Sequence, residues 1–461
     1  MSKKRLNLKK FIPFCIVVIA IIVALIFFIA KNFGGSKVCV HNYVEGVCTK
    51  CGAADPDYVP PVPEDEIHNL TIACGGDVMY HLSQLKSDYN FDDKYQFGEN
   101  DLTAYGTFNF NDEYQYIKNY VQAADIAFAN LETTFAGGPD YSGSWARFNT
   151  PDALAGTLKD VGFDVMFTSN NHSLDRKIAG LQRTIDVLES AGLKSVGSRR
   201  GTADNRSIIV EKNGIKIGLV SYTYETAELN GRRTLNGSPM EEGAWNYLNT
   251  FRYVGSGRKT ATAKEEDKEA IANEISWCRE HGADIVISYF HWDAQNEYVL
   301  EVTKLQEDLA QYAAEKGADI IFGSHPHRVQ RIDEIEVTRA DGRTHKVPVY
   351  YSLGNFISNQ RYESLTPYGD PEDQARATEQ ELLAYLDITY NKTKDEITFN
   401  KISAIPLWVD RYKAGTYYDY RIIPLVEGFE EIVELQNSGH LSRAQQGLKN
   451  LEEIIGKEYI Y

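Results

Sequence analysis

Cysteine is scarce in this chain. There are six cysteines in 461 residues, and one of them, Cys15, sits inside an apolar run, so disulfides are not the main staple of a fold this size. Basic charge is short as well: 65 acidic residues face 48 basic ones, a net charge of −17. That balance excludes a broad nucleic-acid surface and leaves nucleic acid out of the expected partners. No internal repeat is present, which removes the support that a repeat-built wall-binding module needs. Long apolar runs are missing with one exception, residues 11–30, which carry no charge. At ~1.5 Å per residue such a run reaches roughly 30 Å, the thickness of the hydrocarbon layer of a bilayer. Lys3, Lys4, Arg5, Lys9 and Lys10 precede it, so the positive-inside rule keeps residues 1–10 cytoplasmic and places everything after Lys31 outside. A cleaved signal peptide is the alternative, but the run exceeds the usual signal core and no A-x-A-like site follows. The expectation is an uncleaved single-pass anchor in the cell membrane.

Residues 31–67 hold two further features. Cys39-x-His41-x6-Cys48-x2-Cys51 gathers four soft ligands within thirteen residues, a spacing that suits a structural zinc ion, since a tight knuckle turns both thiolates of a C-x2-C pair toward one tetrahedral centre. A local disulfide in an oxidising compartment is the competing reading. Prolines between 56 and 63 then make an extended, semi-rigid linker.

With 43% hydrophobic residues the remainder can bury a sizeable core. From 68 to 427 short apolar runs alternate with helical patterns, which predicts an α/β domain. Leu174, Leu181, Ile185 and Leu188 recur at helical spacing, and Gly192 closes that helix. Residues 225–264, polar and rich in glycine, read as a long irregular excursion, a binding lid by length. Residues 428–461 read as a polar helical tail.

The apolar runs stop in chemically equipped loops. Residues 320–322 end at Gly323-Ser324-His325-Pro326-His327, where glycine permits a sharp turn and proline fixes φ between two imidazoles. Asp77, Glu132, Asn171, His172 and His291 each follow another expected strand in the same way, at the carboxyl ends where α/β sheets gather ligands. Each has a bland reading: a turn residue, a helix cap, an ion pair of Glu132 with Arg147, a packed aromatic edge. Seven such residues, all at strand ends, point instead to a mixed oxygen and nitrogen site for manganese, iron or zinc, as one ion or two.

Six motifs in order, Gly76-Asp77, Asn130-Leu131-Glu132, Asn170-Asn171-His172-x2-Asp175, His291-Trp292, Gly323-x-His325-Pro326-His327 and Tyr351-Ser352-Leu353-Gly354-Asn355-Phe356, resemble the CapA family of poly-γ-glutamate capsule-synthesis proteins, within the calcineurin-like metallophosphoesterase superfamily. The resemblance implies a four-layer αββα sandwich of two sheets flanked by helices. It implies a metal-dependent hydrolase or transferase of a bacterial cell envelope, or else a non-catalytic assembly subunit, with an anionic polymer as substrate and the polymer's synthase and export subunits as partners. By motif, Asp77 is the first metal aspartate and Glu132 the bridging carboxylate. Asn171, His291 and His325 serve one metal and His327 the other. His172 is the acid with Asp175 beside it, and Asn130 and Asn355 meet substrate. Two positions depart from the metallophosphatase pattern: Met79 stands where a histidine is usual, with His81 nearby, and Asn-Leu-Glu replaces Gly-Asp-x-x-Asp.

Overall fold

The computed structural model describes residues 20–26, 39–58, 64–90, 95–99, 101–145, 147–292, 297–369 and 371–461. Of the expected membrane span only residues 20–26, which are helical, fall among them, and residues 59–63 of the proline-rich linker lie outside them. Among the described residues no helix is long and apolar enough to cross a membrane. The chain divides into two compact units, residues 1–64 and 65–461.

The larger unit is a mixed α/β structure built on two sheets. Among the described residues the first has eight strands, in the order Tyr417–Pro424, Glu396–Ala414, Gln380–Asn391, Ile67–Val78, Ile126–Leu131, Val165–Phe167 and Lys194–Val196, with Asn355–Ile357 set against the end of Ile67–Val78. The second has seven: Ile208–Lys212, Ile215–Tyr224, Ile285–His291, Ile320–Ser324, Thr344–Tyr350 and Ile332–Thr338 in order, with Thr250–Phe251 beside Ile215–Tyr224. Four successive strands run parallel in each sheet; antiparallel strands lie on both sides of that set in the second sheet and on one side in the first, where Lys194–Val196 is the edge.

The period of two in these strands decides the layering. Ile72, Phe128, Val165 and Phe167 of the first sheet share one apolar cluster with Ile217, Ile287, Tyr289 and Phe322 of the second, so the sheets pack face to face. Phe167 and Tyr289 stack across that interface with ring centroids 4.1 Å apart. The alternate residues point away. Ala73, Ala129 and Met166 meet Leu154 and Leu158 of the helix Ala153–Val161, while Val286, Phe290 and Ile321 meet Ile271 and Ile275 of Glu265–Glu280 and Leu309 of Lys304–Glu315. Both faces of both sheets are therefore covered, which is why the parallel strands read as continuous apolar runs. Each fully buried Ile, Leu or Phe contributes about 1.5–3 kcal/mol. Thr303 starts the helix that feeds the Ile320–Ser324 strand, its hydroxyl accepting from the Gln306 N–H in a reciprocal capping box.

Two stretches differ from the sequence reading. The excursion after Glu225 is partly regular: Thr226–Leu229, Arg232–Leu235 and Ser238–Pro239 form a three-stranded sheet. Its turns are Asn230-Gly231 and Asn236-Gly237, all four residues at positive φ, the geometry that Asn-Gly pairs supply to tight hairpins. Residues 428–461 are also less polar than expected. Leu435, Ala444, Leu451 and Ile455 are buried in the same cluster as the sheet interface, and Ile460 forms a bridge with Ala404.

Candidate metal centre

Strand register assembles the site. Asp77 lies opposite both Asn130 and Asn355, and His291 lies opposite Ser324. Two glycines permit the close approaches: a Cβ on Gly76 would stand 2.0 Å from the Gly354 carbonyl oxygen, and one on Gly323 would stand 2.3 Å from that of Tyr351. The ligand loop after Gly323 is strained, with His325 at φ +98° and His327 at φ +51°, positions that non-glycine residues hold only where the surroundings impose them.

Asp77, Glu132, Asn171, His291, His325 and His327 are all buried at one end of the sheets. Their donors fall into two groups, Asp77 with Glu132 and His291, and Glu132 with His325 and His327; within each group the ligand atoms lie within 4.8 Å of one another. Glu132 belongs to both, as a bridging carboxylate must. His325 groups with His327 here, whereas the motif pattern pairs it with His291 and Asn171.

Hydrogen bonds aim the imidazoles. Asp77 accepts at Oδ1 from Asn130 Nδ2 at 2.7 Å. Ser324 Oγ lies 2.8 Å from His291 Nδ1; with the ring proton on that nitrogen, the Nε2 lone pair faces Asn171 Oδ1 at 2.9 Å and Glu132 Oε1 at 3.5 Å. His327 is arranged alike: Nδ1 faces Asn355 Oδ1 at 3.0 Å and Asp77 Oδ2 at 3.2 Å, which turns Nε2 toward Glu132 Oε1 at 3.8 Å. Asn355 is itself held by Gln360 and the Thr378 carbonyl. Asn130 and Asn355, expected to meet substrate, are thus fully buried and act on the ligand residues, in the manner by which outer partners fix a metal's imidazoles.

The residues fit a cation. Neither Glu132 carboxylate oxygen has a hydrogen-bond partner among the described residues, nor has Asn171 Nδ2 or His325 Nδ1. Burial and then the neighbouring Asp77 push the Glu132 carboxyl well above the usual range. Burial also holds His291 and His325 well below the ordinary imidazole value, so both are neutral and able to coordinate. At Asp77 burial pushes the carboxyl up, and His327 with Asn130 and Ser324 outweighs it, so the group stays below its ordinary value. Lone pairs converging from Glu132, Asn171 and His291 repel one another unless a positive charge stands between them.

Beside this centre a cleft of about 840 Å³ is lined by Met79, His81, Trp145, His172, Tyr298 and His327, among others. His172 Nδ1 and Asp175 Oδ2 are 2.8 Å apart, and Asp175 Oδ2 also accepts the Phe148 backbone N–H at 2.7 Å. Asn236 Nδ2 stands 3.3 Å from His172 Nε2, and Trp145 Nε1 donates to Asn236 Oδ1 at 3.1 Å. His81 is half-buried, desolvation of its ring holds it down at about 4, and its Nδ1 accepts the Asn359 backbone N–H. Arg147 pairs with Asp101 at 3.0 Å, not with Glu132. Cys39, His41, Cys48 and Cys51 converge in the smaller unit.

Sequence reasoning missed Ser324 and Asn236. The first was legible from its place between Gly323 and His325. The second was signalled only by the Asn-Gly turn that carries it.

A family model described as "Bacterial capsule synthesis protein PGA_cap" matches residues 71–360. A capsule biosynthesis protein CapA of Bacillus anthracis is 26% identical over 316 residues, covering 66% of this chain and 63% of that protein. A PGA biosynthesis protein CapA of Bacillus subtilis is 28% identical over 205 residues, 44% of each. The chain thus spans less than two thirds of either relative. Among solved structures, a novel phosphatase of Mycoplasma pneumoniae covers 74% of this chain and 95% of its own at 13% identity and a TM-score of 0.39. Because the family match takes in well over half of the chain and every motif from Asp77 to Asn355, the chain belongs to the PGA_cap family of bacterial capsule synthesis proteins.

Proposed function

We propose that this protein is a metal-dependent hydrolase or transferase, metallophosphatase-like in its αββα layers, that acts on an anionic capsule polymer such as poly-γ-glutamate. It works outside the cell, held to the membrane by residues 11–30, alongside membrane subunits that make and export the polymer. The observation that carries this reading is the Glu132 carboxylate, fully buried, without a hydrogen-bond partner among the described residues and shared by two donor groups. Asp77, Glu132, Asn171, His291, His325 and His327 would hold one or two divalent ions, manganese, iron or zinc. When bound, such ions lower the pKa of a water and polarise the bond to be broken. The chain itself supplies His172, with Nδ1 fixed by Asp175 and Nε2 toward Asn236 at the cleft wall, as the group that passes a proton to the leaving atom. The names of the two relatives support the substrate class.

The experiment is polymer yield and chain length in cells carrying His172→Ala with Glu132→Gln at matched protein levels. A marked loss is expected, and normal yield with normal chain length defeats the enzyme reading. Protease added to intact cells is expected to release the large unit; protection until lysis reverses the proposed orientation. A second reading, a non-catalytic assembly subunit, is favoured by one observation: the cleft presents the Met79 thioether where a metallophosphatase carries an imidazole, and His81 is turned to the Asn359 backbone.

A further inference from the structure

We propose that residues 39–58 form a second, structural metal site, a closed Cys3His zinc centre made by Cys39, His41, Cys48 and Cys51. It is independent of the centre in the larger unit. The ligand atoms of these four residues all lie within 4.8 Å of one another. Cys39 Sγ and Cys48 Sγ are 3.8 Å apart, and Cys51 Sγ and His41 Nδ1 are 3.3 Å apart. A tetrahedron with ~2.3 Å metal–sulfur bonds has an edge of about 3.8 Å, whereas disulfide sulfurs stand about 2.05 Å apart. The three cysteines are free. Four soft donors with none left over for water describe a structural site, and three thiolates with one imidazole favour zinc over magnesium, calcium or manganese.

The packing of this segment supplies the second argument. Across residues 39–58 only Gly46 and Cys48 are buried, while Val40, Val44 and Val47 are exposed. The hairpin Tyr43–Val44 with Val47–Cys48 has two residues per strand. A two-stranded hairpin is marginal in water, and chains this short fold when a cross-link or a metal replaces the missing core. The backbone is nonetheless specifically shaped around the ligands. Glu45 and Gly46 turn at positive φ, as does Gly52 after the last cysteine, and a Cβ on Gly46 would stand 2.3 Å from the Tyr58 ring. Cys48 is bracketed by its N–H donating to Ala53 and its carbonyl accepting from Gly52, both at 2.8 Å. Apolar burial does not account for that order; a bound ion does.

Zinc binds thiolates, so its entry releases the protons of the three cysteines and leaves three thiolates, one neutral imidazole and Zn2+ with a net charge of −1.

The test uses the full chain, purified with reductant and without chelator. Elemental analysis is expected to find zinc that survives His325→Ala with His327→Ala, while Cys48→Ser with Cys51→Ser loses one equivalent. Cobalt(II) loaded in place of zinc is expected to give tetrahedral d–d bands and thiolate charge-transfer absorption, both absent in the cysteine variant. A disulfide among Cys39, Cys48 and Cys51 in peptides mapped without reductant overturns the proposal. So does a reduced chain that retains no zinc after incubation with excess zinc and gel filtration.

Discussion

Asp175 Oδ2 and His172 Nδ1 stand 2.8 Å apart, and both side chains are only 4% exposed. The contact holds one proton on Nδ1, fixes that tautomer and turns Nε2, 3.3 Å from Asn236 Nδ2, to the cleft wall, where the second proton of the imidazolium is the one passed to the leaving atom. Asp175→Asn disturbs that tautomer while the Phe148 N–H retains an acceptor. Turnover of poly-γ-glutamate by metal-loaded protein is expected to fall about 10²–10⁴-fold, the range for loss of a positioned acid or base, with the melting temperature lowered by a few degrees. Turnover equal to wild type would remove His172 from the chemistry.

Metal removal is the second prediction. His325→Ala with His327→Ala takes away two of the three members of one donor group, so the metal bound by the larger unit should be lost. For an ion present at 100 times its Kd, binding to the folded state alone adds about 2.7 kcal/mol, so a chelator is expected to lower the melting temperature of the wild type. In the double variant the chelator-sensitive step of the larger unit disappears. An unchanged chelator response in that variant would place the metal elsewhere.

Much of this site was legible because parallel strands covered on both faces must be apolar, and a polar residue that ends such a run has to be there for a reason. Asp77, Glu132, His291 and His325 all show that break. The apportioning of ligands was not legible, because it depends on which way each ring faces. The Ser324 hydroxyl and the Asn355 carbonyl oxygen set that at 2.8 and 3.0 Å. Nor was Asn236, which comes to His172 from 64 residues away on a hairpin whose polar strands hide the period of two. The apolar stripe Leu435, Ala444, Leu451 and Ile455 was diluted by the charged residues between them.

The pH response has a separate source. Glu113 is buried beside Tyr80, whose hydroxyl donates to it, and near Tyr114, Asp88, Asp112, Asp419 and Arg421. Burial outweighs the Tyr80 hydrogen bond and pushes its carboxyl up to about 8 from an ordinary 4.5. Between those values the folded state keeps a proton that the unfolded chain has lost, so stability is fully present below 4.5 and falls as pH rises toward 8. One such proton gives a slope of about 1.4 kcal/mol per pH unit. Asp88, raised by burial and by Glu113, adds a slope of the same sign. Glu113→Gln keeps an acceptor for Tyr80 and is expected to flatten the fall, seen in denaturant midpoints between pH 5 and pH 8. Parallel curves for the two proteins would place the titration elsewhere.

Met79 provides the last prediction and separates the catalytic from the assembly reading. It is 1% exposed, its backbone N–H donates to Ile357 at 3.0 Å, and it lines the same cleft as His172 and His327. A thioether is a soft ligand and a poor one for manganese or ferrous iron, so the centre has no donor at the place where the metallophosphatase pattern has imidazole. His81 does not replace it, because its Nδ1 is occupied by the Asn359 N–H. Met79→His restores a nitrogen donor within a similar side-chain volume and is expected to tighten manganese binding at least tenfold, about 1.4 kcal/mol, as read by competition with a chelator. If a weak ion limits the enzyme, turnover rises with it; if the protein only assembles its complex, metal binding tightens while polymer yield in cells stays the same. A variant that binds manganese no more tightly than wild type shows that position 79 does not face an ion at all.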